Sequence, residues 1–568
     1  MKKLTMLVAA AFAMTSAMAQ LNPMEPIPAD KDVRTGKLEN GMTYYIRHNE
    51  KPKGQADFHI LHDVGAIQEN DAQQGLAHFL EHMAFNGTKN LPGKQMIEYL
   101  EKVGVKFGAN LNAGTSWDMT SYMMKDVPTS REGIIDSALL ILHDWSHFIA
   151  LQPEEIDSER GVIMEELRTR DGASWRSTID MVKAIGRGTQ YEHRNLIGYL
   201  DGLKSFSHDD LKAFYDKWYR PDYQAVVVVG DIDVDAVEQK IKTMMADIPA
   251  PAADAAQKEV IRIPGNEEPV VSIFTDPEMQ GSYMQLIYKQ EAMPKQYRGT
   301  VMANLVADIS SYISLMMNER LSDIARKPDA PFVSASFDPL GSFGICPTLD
   351  VTGGYVETAD GKLMEGYKAL LTEMERMRRY GFTAGEYERA KSELLSMVER
   401  KYNSRDDRTH SSFAQACIDN FRLGDPMPDA ETEYELDKQL IEMIDLNTIN
   451  KTVENLYKPM ENLVVMVRQP EKEGLTAPTE QEIVDALKAA VEADVEPFED
   501  NVVKEPLIGE DVELKGSPVK KEKVNEALGT TEWTLKNGIK VVFKQTPYEA
   551  DRVSLMAESF GGDAIFDN

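Results

Sequence analysis

Two histidines and a glutamate lie within one short stretch of this chain, His78-Phe79-Leu80-Glu81-His82. On an α-helix, residues four positions apart share a face, so both imidazoles can bind the same metal ion. Glu81 lies at the edge of that face, where it can accept a proton from water. The order His-x-x-Glu-His is that of the inverted zincins, so the motif predicts a zinc site with its own general base.

The residues around this motif favour a helix. Segment 73–85 is rich in good helix formers, lacks proline and carries glycine only near its start. Gly87 and Pro92 follow as signals that end a helix. An apolar stripe beside the histidines would pack into a core: Leu76, Phe79, Leu80 and Met83. The alternative, a buried helix with two ordinary histidines, leaves the intervening glutamate unexplained.

A third ligand is expected from a second helix, predicted over 153–170. Proline and two glutamates at its start suit the positive end of the helix dipole. Its buried stripe consists of three residues: Ile156, Ile163 and Leu167. Glu159 and Glu166 lie on or beside that stripe, where a carboxylate is costly unless it meets a cation or a donor.

Metal binding would supply those partners. Glu166 is the predicted ligand, and Glu159 would orient it or a histidine. Glu165 points about 100° away on a regular helix and ranks second as ligand. The alternative is that Glu159 and Glu166 reach solvent along the helix surface.

Other histidines make weaker candidates. His143 and His147 are also four residues apart on a predicted helix, but no glutamate lies between them. We interpret them as core or surface histidines. His59 and His62 lie three residues apart in a predicted strand, so they face opposite sides and cannot chelate one ion together.

The histidine motif, followed downstream by Glu159-Arg-Gly-Val-Ile-Met-Glu-Glu166, resembles the pitrilysin/insulinase family of zinc metallopeptidases. Segments 108–122, 219–231 and 321–332 also resemble parts of that family. The resemblance extends over residues 30–470 and is strongest to the periplasmic bacterial members.

This resemblance implies one zinc ion in a catalytic domain, with three ligands: His78, His82 and Glu166. Glu81 would be the general base, and Glu159 would support the ligands. Asn112 and Ala113 would lie near the substrate backbone. The family also implies a clamshell chamber, of which this chain would be one half. The second half would be part of the full-length protein or a separate chain.

Internal repeats indicate tandem homologous domains. Tyr219-Arg-Pro and the apolar run after it recur at Tyr457-Lys-Pro. Segment 38–46 recurs at 535–543, with Asn-Gly at the same place in both. Strands alternating with long amphipathic helices predict an α+β fold, in which each domain is a mainly antiparallel sheet with helices on one face.

These repeats predict the domain boundaries. We expect a catalytic domain at 30–250, a homologous non-catalytic domain at 255–470, an acidic proline-containing linker with one helix at 471–530, and the start of a third repeat at 531–568. All ten histidines except His410 precede residue 209, so only the first domain can build a histidine pair. The third repeat stops early, and we expect the chain to be the N-terminal part of a longer protein.

Composition limits the class of partner. The formal net charge is −31 over 568 residues, which argues against nucleic acid or an anionic membrane surface. Only two cysteines occur, Cys346 and Cys417, and their apolar surroundings favour buried thiols over a bridge.

The N-terminus has the pattern of a signal peptide. Two lysines follow Met1, an apolar run comes next, and Ala17-Met-Ala19 is a small-x-small cleavage site. We predict cleavage after Ala19 and a periplasmic location. No other segment is apolar for long enough to span a bilayer.

The sequence thus predicts a zinc-dependent endopeptidase that hydrolyses unfolded peptides or small proteins in the periplasm. The alternative is a non-catalytic peptide-binding or assembly subunit of the same family. Such a subunit would be expected to carry an eroded motif, whereas the motif here is intact.

Overall fold

A computed structural model describes residues 21–500, 508–509, 512–547 and 553–562 of the chain. The predicted signal peptide and parts of the predicted third repeat lie outside these residues. Among the helices that are described, none combines the length and apolar character needed to cross a membrane.

The first lobe is a six-stranded sheet with helices packed on it. Its spatial order is β1-β2-β6-β3-β5-β4, and all neighbours are antiparallel except β2 and β6. The strands are β1 (Val33–Lys37), β2 (Thr43–His48), β3 (Gln55–His62), β4 (Leu111–Thr115), β5 (Thr120–Pro128) and β6 (Gln224–Gly230). The helices are α1 (Leu76–Met83), α2 (Gln95–Lys102), α3 (Ile134–His147), α4 (Pro153–Arg170), α5 (Ala173–Ile185), α6 (Leu200–Ser205), α7 (His208–Trp218) and α8 (Val234–Met244).

The second lobe repeats this arrangement. Its sheet order, β7-β11-β8-β10-β9, matches β2-β6-β3-β5-β4 strand for strand and includes the equivalent parallel pair. The strands are β7 (Val270–Asp276), β8 (Ser282–Glu291), β9 (Ser334–Ser342), β10 (Leu349–Thr358) and β11 (Leu463–Pro470). The helices are α9 (Lys295–Arg298), α10 (Val301–Ala325), α11 (Leu363–Tyr380), α12 (Ala384–Asn403), α13 (His410–Leu423), α14 (Ala430–Met443) and α15 (Leu446–Glu454). The predicted α+β class is confirmed.

The two lobes exchange one helix each. Helix α5 follows α4 in sequence but packs on the second sheet, where Val182 and Ile185 join the residues around Val464. Helix α13 comes from the second lobe but covers the first sheet, where Phe413 packs near Val227. We expected helices on only one face of each sheet. The structure differs because β6 and β11 are buried along their whole length and need cover on both faces.

Within its described residues, the predicted linker at 471–530 contains a strand as well as the one expected helix. Helix α16 (Glu480–Glu492) has the expected capping box at Thr479, and it packs into the second lobe through Ile483 and Leu487. A strand, β12 (Val519–Asn525), also falls in this segment and pairs with β13 (Thr530–Leu535). The sequence did not predict β12 because its residues are mostly charged and exposed, so no apolar pattern marks it.

The hairpin of β13 and β14 (Lys540–Phe543) has the same register as the hairpin of β1 and β2. Arg34 pairs with Ile46, and Thr531 pairs with Phe543 at the equivalent position of the repeated sequence. Turn residues Gly41 and Gly538 have φ values of 100° and 90°, which glycine adopts without strain. The repeated segment therefore forms the same local structure twice.

Candidate metal centre

The histidine helix α1 begins later than predicted because a glycine turn precedes it. Gly75 has a φ of 91°, and a Cβ there would lie 2.4 Å from the Ile197 carbonyl oxygen. The first turn is capped from upstream by Glu69, which accepts hydrogen bonds from the amides of Gly75 and Ala77 at 3.0 and 2.8 Å. Burial raises the pKa of Glu69 to about 8. Nothing in the sequence pattern singled out this cap.

His78, His82 and Glu166 converge, although they come from two separate helices. Glu166 Oε1 lies 3.6 Å from His78 Nε2, and Glu166 Oε2 lies 3.1 Å from His82 Nε2. The three ligand atoms all lie within 4.8 Å of one another. Tetrahedral zinc with ligands at about 2.0–2.2 Å would separate neighbouring ligand atoms by about 3.3–3.6 Å. Two imidazoles and one carboxylate thus fit zinc in both spacing and donor chemistry.

Glu159 lies behind His82 and contacts its imidazole ring. Its Oε1 is 2.8 Å from His82 Nδ1, so the opposite nitrogen of the ring faces Glu166. Burial disfavours the charged imidazole, but the hydrogen bonds to Glu159 and Glu166 outweigh it and raise the pKa of His82 to about 9. The carboxylates around His82 therefore favour a positive charge on or beside its ring.

The two neighbouring glutamates of α4 have different environments. Glu165, ranked second as ligand, is paired with Arg168 at the surface. Hydrogen bonds to His78 and His82 hold the pKa of Glu166 well below its usual range. Glu166 also lies 2.8 Å from Arg170. The Glu166 carboxylate is therefore ionised and directed to the centre, whereas the Glu165 carboxylate is directed to Arg168.

The predicted general base, Glu81, is held by a threonine at the end of β4. Thr115 Oγ1 donates a hydrogen bond to Glu81 Oε2 at 2.5 Å. Thr115 is the last residue of β4, so the sheet edge and the histidine helix meet at this bond. The only sequence signal was the family resemblance of the surrounding segment 108–122.

Asn112 and Ala113 lie on β4, the edge strand of the first sheet. The amide of Lys125 bonds to the carbonyl of Asn110, so the even-numbered residues of β4 are those that bond to β5. The backbone groups of Ala113 and Thr115 consequently point to the free edge. The side-chain Oδ1 of Asn112 accepts a hydrogen bond from the Ala113 amide at 2.9 Å.

Four other histidines bind neighbouring groups or lie buried away from the proposed metal centre. His143 is buried between Asp144 and Asp247, with bonds of 2.9 and 2.7 Å. His147 bonds to a backbone carbonyl. His59 and His62 are both buried in β3, and burial lowers the pKa of each to about 3.

Two family models match consecutive parts of the chain. Residues 44–198 match the model described as insulinase (peptidase family M16), and residues 205–394 match the peptidase M16 inactive domain. The chain belongs to the insulinase family, M16. The converging histidines and Glu166 lie in the first match.

Relatives of this M16 chain carry zinc-protease names. "Zinc protease PQQL-like" of Arabidopsis thaliana is 29% identical over 95% of this chain and 52% of the relative. "Probable zinc protease PqqL" of Escherichia coli K12 is 27% identical over 95% of this chain and 57% of the relative. The M16 chain described here thus spans about half the length of these relatives.

Solved M16 structures share the fold. The first half of the periplasmic protease PqqL from Escherichia coli superposes with a TM-score of 0.75 at 25% identity, covering 84% of this chain and all of that one. The whole of PqqL gives a TM-score of 0.76 at 25% identity, covering 93% of this chain and 57% of PqqL. The two lobes of this M16 chain together therefore correspond to one half of a clamshell.

Proposed function

We propose that this chain is a zinc-dependent endopeptidase that hydrolyses unfolded peptides or small proteins in the periplasm. One observation carries the proposal: His78, His82 and Glu166 offer ligand atoms within 4.8 Å of one another. Glu81 projects from the same helix as the two histidines. The first lobe would hold one zinc ion, and the second lobe, whose residues up to 394 lie in the match to the inactive-domain model, would be structural.

The chemistry follows from the side chains around that point. Zinc, when bound, would act as a Lewis acid and lower the pKa of water from about 15.7 to roughly 7. Glu81 would accept the proton of the attacking water on Oε1, since Thr115 occupies Oε2. The same oxygen would then pass the proton to the nitrogen of the leaving amine.

Substrate binding is proposed at the free edge of β4. The outward backbone groups of Ala113 and Thr115 can pair with an extended peptide, which would replace the Asn112 side chain on the Ala113 amide. Because main-chain groups make these bonds, recognition would depend little on sequence. An extended substrate must be unfolded locally, which supports peptides or unstructured proteins as substrates.

The proposed location and the proposed second clamshell half rest on more than the described residues. The signal-peptide pattern of residues 1–19, and the name of the PqqL neighbour, support a periplasmic location. The correspondence to one half of PqqL supports a second clamshell half that would close over the peptide, as part of the full-length protein or as a separate chain.

Zinc content and peptide cleavage test the proposal separately. Wild-type chain should bind one equivalent of zinc and cleave a quenched peptide in a chelator-sensitive manner. Glu81→Gln should keep its zinc and lose cleavage by at least about 100-fold. Glu166→Gln should lose zinc, whereas its matched neighbour Glu165→Gln should retain it.

Absence of zinc from the wild-type chain would reject the proposed site. Full zinc occupancy without cleavage, in the presence of the second clamshell half, would instead favour the non-catalytic peptide-binding subunit. Undiminished cleavage by Glu81→Gln would reject the assigned base.

A further inference from the structure

We propose that Asn86 is a positioning residue of the metal centre and acts through Glu159 on His82. Lys94 would hold Asn86 in the required orientation. The inference rests on the proposed zinc site. Asn86 lies shortly after the end of α1, and only 4% of its surface is exposed.

The side-chain amide of Asn86 has one orientation that suits both of its neighbours. A lysine ammonium can only donate, and Lys94 Nζ donates to Asn86 Oδ1. The amide nitrogen Nδ2 must then face Glu159, and it donates to Glu159 Oε2 at 2.6 Å. A flipped amide would place its donor against the ammonium and its acceptor against the carboxylate. Lys94 therefore fixes which way the amide points.

Both oxygens of Glu159 are used in this arrangement. Oε1 bonds to His82 Nδ1 at 2.8 Å, and Oε2 bonds to Asn86. A carboxylate held at both oxygens cannot rotate, and such a carboxylate fixes the ring of a ligand histidine and increases its basicity. Without Asn86, Oε2 would become a poorly solvated acceptor, and Glu159 could turn away from His82.

The loop after α1 provides matched controls. Asn90 Nδ2 donates to Asp144 Oδ1 at 2.7 Å, a bond between the same chemical groups. The Asp144 carboxylate bonds to His143, whereas the Glu159 carboxylate bonds to the proposed ligand His82. Lys89 lies over the ring of Phe148, at 4.3 Å from its centroid. Substitution of Asn90 or Lys89 changes the same loop without touching the metal centre.

Zinc dissociation constants, measured by competition with a chromogenic chelator, test the inference. Asn86→Leu should weaken zinc binding by about 10- to 100-fold. Lys94→Met should weaken it less, because water can replace the exposed ammonium. The controls Asn90→Leu and Lys89→Met should bind zinc as the wild type does.

Cobalt substitution adds a readout that general loss of stability would not change. Cobalt-loaded Asn86→Leu should show an altered visible spectrum, because the His82 ring would no longer be fixed. Unchanged affinity and spectrum in Asn86→Leu would overturn the inference and leave the zinc site intact. If that variant does not fold, unchanged values in Lys94→Met would overturn it. Failure of the wild-type chain to bind zinc would overturn both the inference and the proposed function.

Discussion

The Thr115 hydroxyl donates to Glu81 Oε2 at 2.5 Å, and this bond joins the edge strand β4 to the helix that carries both histidines. The strand proposed to bind the peptide therefore also orients the proposed base. Any movement of β4 would change the direction of the Glu81 carboxylate.

Removal of that hydroxyl should impair turnover without releasing zinc. A hydrogen bond to a charged group contributes about 1.5–3 kcal/mol, so Thr115→Val should lower kcat/KM by roughly 10- to 100-fold. Thr115→Ser keeps the donor and should restore most of the activity. Steady-state kinetics with parallel zinc analysis would measure this. Equal activities of the Val and Ser variants would show that the hydroxyl has no such role.

Helix α13 should stabilise the turn that precedes β5. Arg422 Nη2 lies 3.0 Å from Asp118 Oδ2, and both side chains are largely buried between the lobes. Arg422→Met would leave Asp118 without this cation, at a cost of roughly 1–3 kcal/mol. Hydrogen exchange should become faster in peptides covering 111–124. The exposed Arg400→Met is the control, and equal exchange in both variants would contradict the prediction.

Glu69 should stabilise the start of the histidine helix. Glu69→Ala would remove the acceptor of two amides in the first turn of α1, and loss of a helix cap costs about 0.5–2 kcal/mol. We expect faster hydrogen exchange in α1 and weaker zinc binding. Substitution of the exposed Asp71 by alanine serves as the control. If hydrogen exchange in α1 of Glu69→Ala is as slow as in the wild type, the capping role is disproved.

Asp308 in α10 should make stability depend on pH. Its Oδ2 is buried without a hydrogen-bond partner among the described residues. Burial, with a contribution from Asp437, raises the pKa of Asp308 to about 8. In the unfolded chain the pKa of an aspartate is about 3.9. Between that value and the pKa of the folded state, the folded state binds more protons, so the free energy of unfolding falls as the pH rises.

Asp308→Asn should therefore stabilise the protein at pH 8, by about 1–3 kcal/mol, and have little effect near pH 4. Denaturant unfolding at the two pH values would measure the difference. Asp323→Asn, an exposed position of the same helix paired with Arg326, is the control. An equal effect of Asp308→Asn at both pH values would argue against titration as the cause.

Local patterns predicted much of the fold and the central part of the site. Helix α4 has the predicted bounds, and the spacing of Glu159 and Glu166 on it placed both at the histidine helix. Other residues contact the site only through the tertiary fold, and no periodic pattern in the sequence marks them. Glu69 was missed because its target amides become available only after the Gly75 turn forms.

Thr115 and Asn86 were missed for a related reason. A threonine at a strand end and an asparagine after a helix are common, and only packing shows that each faces a glutamate of the site. The exchange of α5 and α13 was also beyond prediction, because amphipathicity shows that a helix packs but not on which sheet.

The exchanged helices α5 and α13 make the two lobes depend on each other for the cover of their sheets. If the chain were cut near residue 250, the first half would lose α13, and Val227, Val229 and Leu61 would become exposed on an uncovered apolar sheet face. Helix α5 would likewise have no sheet to pack on. Each lobe therefore supplies cover for the sheet of the other, and we expect the two lobes to fold together as one cooperative unit.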